Sequence, residues 1–167
     1  MRKIITELPP APYPLHPTSG FTLLEVLASL AVVVILSLLA TGAFNSLEKR
    51  EALSKQSAII VSLLGQARSL TVASKQASSY GIHFQVDKVV LFKGNTYIDG
   101  DTSNTVEPLH GAVQISSITL AGNGSDVIFD RLFGKTNQSG AITLSLASDP
   151  SQTKVITIFP SGIAESN

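Results

Sequence analysis

From Val26 to Leu47 the chain carries no Asp, Glu, Lys, Arg or His. About 20 apolar residues, rising roughly 1.5 Å each, cross a bilayer core, so this run is long enough to span one. Val32, Val33, Val34 and Ile35 are β-branched, yet a lone spanning segment has to be helical, because lipid offers its amides and carbonyls no other partner. A cleaved secretory signal has a shorter apolar core of about 7–15 residues with its cleavage site behind it. Here the core is longer and the candidate site lies ahead of it. Glu25 stands at the head of the run. A carboxylate carried into the apolar region costs about 2.5–3.5 kcal/mol on insertion scales, so Glu25 reads as a functional group that needs a partner.

The stretch Gly20-Phe21-Thr22-Leu23-Leu24-Glu25, followed by this run, resembles the class III signal of type IV prepilins and type II secretion pseudopilins. The resemblance implies that a prepilin peptidase cuts between Gly20 and Phe21, that Phe21 is then N-methylated, and that Glu25 serves assembly. The Phe21 amine, one helical turn away or on a neighbouring subunit, would pair with Glu25 and offset part of the cost of burying each charge. Residues 1–20 become a leader, and five prolines from Pro9 to Pro17 make it extended. Lys49, Arg50 and Lys55 follow the run, against Arg2 and Lys3 before it. Counted alone, these cations favour the opposite orientation. The resemblance implies instead that the distal domain lies outside the cytoplasm, on a single-pass anchor in a bacterial cytoplasmic membrane.

Of 167 residues, removing the leader leaves 147, enough for one anchor helix and one small domain. The precursor is formally neutral, and the remainder holds ten basic against eleven acidic residues. No global field points to nucleic acid. The absence of cysteine excludes disulfides and thiolate metal sites.

Residues 44–74 lack proline, and Phe44, Leu47, Ile60, Leu63, Leu64, Ala67 and Leu70 recur at helical steps. A continuous helix from Phe21 to about Lys75 is expected, with Gly42 and Gly65 as weak points of about 1 kcal/mol each. For residues 58–74 the apolar stripe reads as packing under a β-domain; for 21–50 it reads as a partner-helix interface. After Ser79 the pattern changes. Tyr80, Ile82, Phe84 and Val86 alternate with polar or small residues, Asp87-Lys88 turns, and Val89–Phe92 returns. Further strands are expected at 113–120, 127–129, 142–146 and 155–159, with a loop over 94–108 and turns at 122–124, 137–140, 149–151 and 160–162. About six antiparallel strands result.

The fold class is therefore α+β: leader 1–20, apolar helix 21–47, amphipathic helix 48–79 and β-rich domain 80–167. This order resembles the pilin architecture. The distal part resembles the minor pseudopilin H group, the GspH/FimT-like domain, through Gln66–Ser69, Tyr80–Ile82, Val127–Gly134, Gly140–Leu144 and Val155–Gly162.

Catalytic chemistry finds little support. His16 lies in the leader, His83 falls on the polar face of its strand, and His110 precedes Gly111 in a loop. Two distal histidines without cysteine make neither a metal site nor a nucleophile triad. Asp99–Asn104 begins like a calcium loop but lacks the glycine and the closing glutamate. From Tyr80 onward five basic residues face eight acids, a poor footprint for phosphates, although Arg131, Lys135 and Lys154 remain a candidate cluster.

The expected function is structural: a minor pseudopilin or pilin-like subunit of a type II secretion or type IV pilus-like filament. Its partners are prepilin peptidase, other pilins and the cytoplasmic membrane. No enzyme activity, cofactor, metal or nucleic acid is expected. The alternatives are a minor pilin for DNA uptake or adhesion, and a plain single-span protein with a β interaction domain.

Overall fold

The computed structural model describes residues 20–167, with the side chains at 39–46 outside the description. The expected leader, Gly20 apart, also lies outside it. Helix α1 runs Leu23–Val72, starting two residues later and ending three residues earlier than the expected span. The chain divides into two units at Thr41–Gly42. Among the described residues no helix is long and apolar enough to cross a membrane by itself; the run expected to do so extends over positions 39–46.

In the second unit, α1 is a packing element. Leu53, Ile60, Leu64 and Ala67 are buried, at steps of seven, four and three, which keeps them on one helical face. Two four-stranded antiparallel sheets build the rest of the domain. In the first the order is β3-β2-β1-β5, with β1 Tyr80–Phe84, β2 Lys88–Lys93, β3 Thr105–Pro108 and β5 Asp126–Ile128. The second has the order β4-β6-β7-β8, with β4 Val113–Leu120, β6 Gly140–Leu146, β7 Asp149–Ile158 and β8 Ala164–Ser166. Ile82 and Phe84 of β1, Val89 and Leu91 of β2, Ile142 and Leu144 of β6, and Ile156 and Ile158 of β7 join the helix stripe in one apolar cluster. The α+β expectation is borne out.

Eight strands replace the expected six. Strands β3 and β8 are short edges, mostly exposed, so no apolar alternation marks them. The expected turn at 149–151 is the opening of β7, where Leu146 pairs with Asp149. Val86, expected to extend β1, is exposed. It sits in the β1–β2 turn, where its carbonyl accepts from the Ile115 amide at 3.0 Å while the Asp87 carbonyl accepts from Leu109 at 2.8 Å. That turn thus carries hydrogen bonds to the start of β4 and the segment before it.

The helix ends without glycine. Ser74, Gln76 and Ala77 all have positive φ, and a short 3-10 turn occupies Lys75–Ala77. Buried Thr71 directs the exit. Its hydroxyl donates to the Ala67 carbonyl at 2.9 Å and accepts from the Tyr80 amide at 2.9 Å, fastening the last helical turn to the first strand.

A second knot joins three distant segments. Arg68 Nε donates to the Gly134 carbonyl at 3.0 Å. Gly162, at φ 79, lies so close that a Cβ there would collide with the Gly134 carbonyl oxygen. Three stretches singled out in the sequence, around Arg68, Gly134 and Gly162, therefore meet at one point. Gly162→Ala is expected to cost about 2–4 kcal/mol through overpacking and left-handed strain. Gly111→Ala, where a Cβ meets nothing within 4 Å, is expected to be near neutral. Denaturant melts of the two variants check this; equal stabilities would remove the knot from the account of the fold.

Candidate functional site

The helix that opens the apolar run begins with a cap. Thr22 precedes the first helical residue, and its Oγ1 accepts from the Glu25 amide at 3.2 Å; the Thr22 carbonyl accepts from Val26 at 3.1 Å. Thr22-Leu23-Leu24-Glu25 has the sequence of a capping box, with threonine at the N-cap and glutamate three residues on. From sequence, Glu25 is assigned a charge cost, a pairing with the Phe21 amine and a role in assembly but not this cap, which the Thr-x-x-Glu spacing signals. Glu25 also stands in the first turn, where the exposed amide ends favour a negative side chain.

Gly20 has a different status. A Cβ added there meets nothing within 4 Å, and its φ lies outside the left-handed region. Neither packing nor backbone conformation calls for glycine at this position. Phe21, Leu23 and Leu24 are strongly exposed, as are the large apolar residues described from Val26 to Leu38. Polar groups within this apolar stretch are satisfied internally. The Ser29 hydroxyl donates to the Glu25 carbonyl at 2.6 Å, and Ser37 donates to Val33 at 2.8 Å. Such bonds to the preceding turn remove the need for any outside hydroxyl partner.

In the domain, the structure brings His83 into a cluster that the sequence did not suggest. Its Nδ1 lies 2.5 Å from Asp126 Oδ1 across the β1–β5 pair. Its ring stacks on Tyr97 with centroids 3.9 Å apart and planes within 5°. Tyr97 also meets Phe92 edge-on at 5.8 Å. His83 is thus half-buried rather than on an open polar face, because the loop after β2 folds back over it. Gly81 makes room: a Cβ there would stand 2.5 Å from Phe92 Cζ. The cluster has no activated nucleophile, and what it does is fasten the loop.

Asp99 and Asp101 hold that loop from within. Tyr97 donates its hydroxyl to Asp99 at 2.7 Å, and Asp101 Oδ1 accepts from both the amide and the hydroxyl of Ser103 at 2.7 Å. The oxygens suggested for a cation therefore serve the loop's own donors. Among the described residues no His, Asp and Glu group of three could hold a metal ion. Arg131 and Lys135 lie in the tight loop after β5, while Lys154 sits on β7 opposite Leu144.

The Tyr97 hydroxyl bond holds the Asp99 carboxyl below its ordinary 3.8. The Ser103 amide, then its hydroxyl, does the same for Asp101. A folded value below the unfolded one gives stabilisation that is present above the unfolded value and lost as pH falls through the lowered folded values. Loop 97–104 is therefore expected to loosen in acid only below about pH 3.8, with Asp99 titrating at higher pH in Tyr97→Phe. Side-chain carboxyl NMR titrations of the two proteins check this, and an unchanged Asp99 midpoint would contradict it.

Comparison with known proteins now bears on these positions. No curated protein sequence matches the chain. The solved structure of the type IV minor pilin FimU of Pseudomonas aeruginosa (strain PAO1) is similar at a TM-score of 0.48 and 13% identity, over 69% of this chain and 92% of that one. Residues 16–43 match the family model described as the prokaryotic N-terminal methylation motif, and this segment contains Gly20, Phe21 and Glu25. The resemblance drawn from Gly20–Glu25 is borne out over this segment: the chain carries the prokaryotic N-terminal methylation motif.

Proposed function

We propose that this chain is a prepilin, cut between Gly20 and Phe21 by a prepilin peptidase and N-methylated on Phe21, and that it then serves as a minor subunit of a type IV pilus-like or type II secretion filament. The observation that carries this reading is Gly20. Packing and backbone conformation place no demand on position 20, and Gly20 stands directly before the cut within the matched motif, where a peptidase that accepts only a small, open residue would require it.

The apolar run from Val26 to Leu47 holds the precursor in the cytoplasmic membrane as a single pass, with the β-domain outside the cytoplasm. In the filament the same surface packs against the helices of neighbouring subunits. Glu25 pairs there with the Phe21 amine of a neighbour. Two charges removed from water together, with good geometry, cost far less than either alone, so the pair sets the axial register. The role is structural rather than enzymatic, and calls for no cofactor.

The reading is checked by the intact mass of the chain made with and without a prepilin peptidase. The expected product begins at Phe21 and is heavier by one methyl group; Gly20→Val is expected to remain uncut. Glu25→Ala is expected to be cut normally but to be recovered from membranes rather than from filaments. An uncut chain in the presence of active peptidase would return the protein to a plain single-span anchor.

A further inference from the structure

We propose that the cavity between α1 and the Pro108–His110 segment binds a basic and apolar peptide segment of a partner protein, whose lysine or arginine side chain enters at Glu48 and Glu51. The cavity holds about 500 Å³, within the range of pockets that take a ligand. Its wall on α1 runs from Glu48 to Ile59. At 1.5 Å per residue that wall is roughly 16 Å long, the reach of about five residues of extended chain. Ala52, Ile59 and Leu109, each half-buried, give the lining its apolar part.

The polar lining is ordered along the helix. Glu48 and Glu51 come first, three residues apart and so on one face; Lys55 and Gln56 follow about one turn later. Among the described residues no ion pair ties Glu48, Glu51 or Lys55 to another side chain, although Glu51 and Lys55 stand at the four-residue step where such pairs form. The two acids are therefore unmatched within the chain. Gln56 adds an observation of a different kind. It is only 5% exposed, its Oε1 accepts from the His110 amide at 3.2 Å, and its buried Nε2 has no partner among the described residues. A buried donor left unpaired is costly, and a carbonyl oxygen brought by an occupant removes that cost. His110 Nδ1 accepts from the Ala112 amide at 3.2 Å, which leaves the ring hydrogen on Nε2 as a further donor.

These features select the occupant. It carries a cation for the acids, acceptor oxygens about one helical turn further on for Lys55, Gln56 and His110, and apolar surface for Ala52, Ile59 and Leu109. An anion would meet two unpaired carboxylates. A metal ion finds no ligand set, since no three His, Asp or Glu side chains among the described residues could hold one. A plain hydrocarbon leaves Gln56 Nε2 unpaired. A peptide with a basic residue followed by apolar ones supplies all three needs together, its backbone carbonyls being the acceptors, under matched charge. The proposal rests on the filament reading for the identity of the partner, a different subunit of the assembly, but the cavity is read in the full chain whether or not Phe21 has been processed.

The test is a titration of the isotope-labelled full-length chain in detergent with the peptide acetyl-Arg-Leu-Ala-Leu-amide, followed by NMR on the Gln56 side-chain amide. The Nε2 resonances are expected to shift and saturate, and acetyl-Glu-Leu-Ala-Leu-amide to bind several-fold more weakly. Glu48→Gln combined with Glu51→Gln is expected to weaken the arginine peptide several-fold, with thermal unfolding unchanged because both side chains are exposed. No shift at Gln56, equal affinity for the two peptides, or undiminished affinity in the double variant overturns the proposal. Saturation by n-butylamine at the same concentration as the arginine peptide also overturns it and assigns the cavity to small amines. A chain that is cut at Phe21 but does not bind the peptide keeps the processing reading and loses this one; binding by a chain that is never cut does the reverse.

Discussion

Both sheets of the domain pack on the buried face of α1 formed by Leu53, Ile60, Leu64 and Ala67. An isolated helix gains little in water, because nucleation is costly and propagation barely favourable; the distal half of α1 is held by what it packs against. Both sheets supply that packing. β1 and β2 place Ile82, Phe84, Val89 and Leu91 in the same cluster as Ile142, Leu144, Ile156 and Ile158 of β6 and β7. Ile60, Leu64 and Ala67 are wholly buried, so truncating one of the larger two would remove its transfer energy and leave a cavity that two sheets and a helix cannot all close.

The polar attachments then fix what the apolar face leaves free. Hydrophobic packing alone allows a helix to slide or roll on a sheet. Thr71 sets the position of the helix end against Tyr80 through one hydroxyl that donates and accepts. Arg68 sets it against Gly134, and Gly162 closes over that carbonyl. Gln56 acts nearer the start of the domain, where its Oε1 accepts from the His110 amide at 3.2 Å. Only the oxygen can take that proton, so the orientation of the amide is determined.

What could be read in advance follows from which signals are local. The alternation of Tyr80, Ile82 and Phe84 and the steps among Ile60, Leu64 and Ala67 are periodic, and each reports a buried face without reference to the rest of the fold. Strands β3 and β8 bury almost nothing, so they leave no such trace and form only because β2 and β7 offer an open edge. The helix end at Val72 was legible only to within a few residues, since Ser74, Gln76 and Ala77 take left-handed conformations without being glycine. The His83–Tyr97 stack depends on how a loop closes in space, which spacing along the chain does not encode. The N-terminal motif was legible for the opposite reason. Gly20 and Glu25 are conspicuous in the sequence itself, a glycine and a carboxylate set directly before an uncharged apolar run.

The first turn of α1 shows why Glu25 suits that place on the proposed processing. A cut after Gly20 leaves Phe21 as the terminus and keeps Thr22, so the cap on the Glu25 amide survives the reaction. The cut also creates an ammonium next to the amide end of a helix, where partial positive charge already accumulates. A carboxylate in the first turn offsets both, and once the segment leaves water that compensation grows as the local dielectric falls. The same Glu25 that would oppose insertion of an uncut chain is then the natural counter-charge for the cut one. A neutral residue at this position would keep the helix and the cap, and would leave the new terminus without a partner.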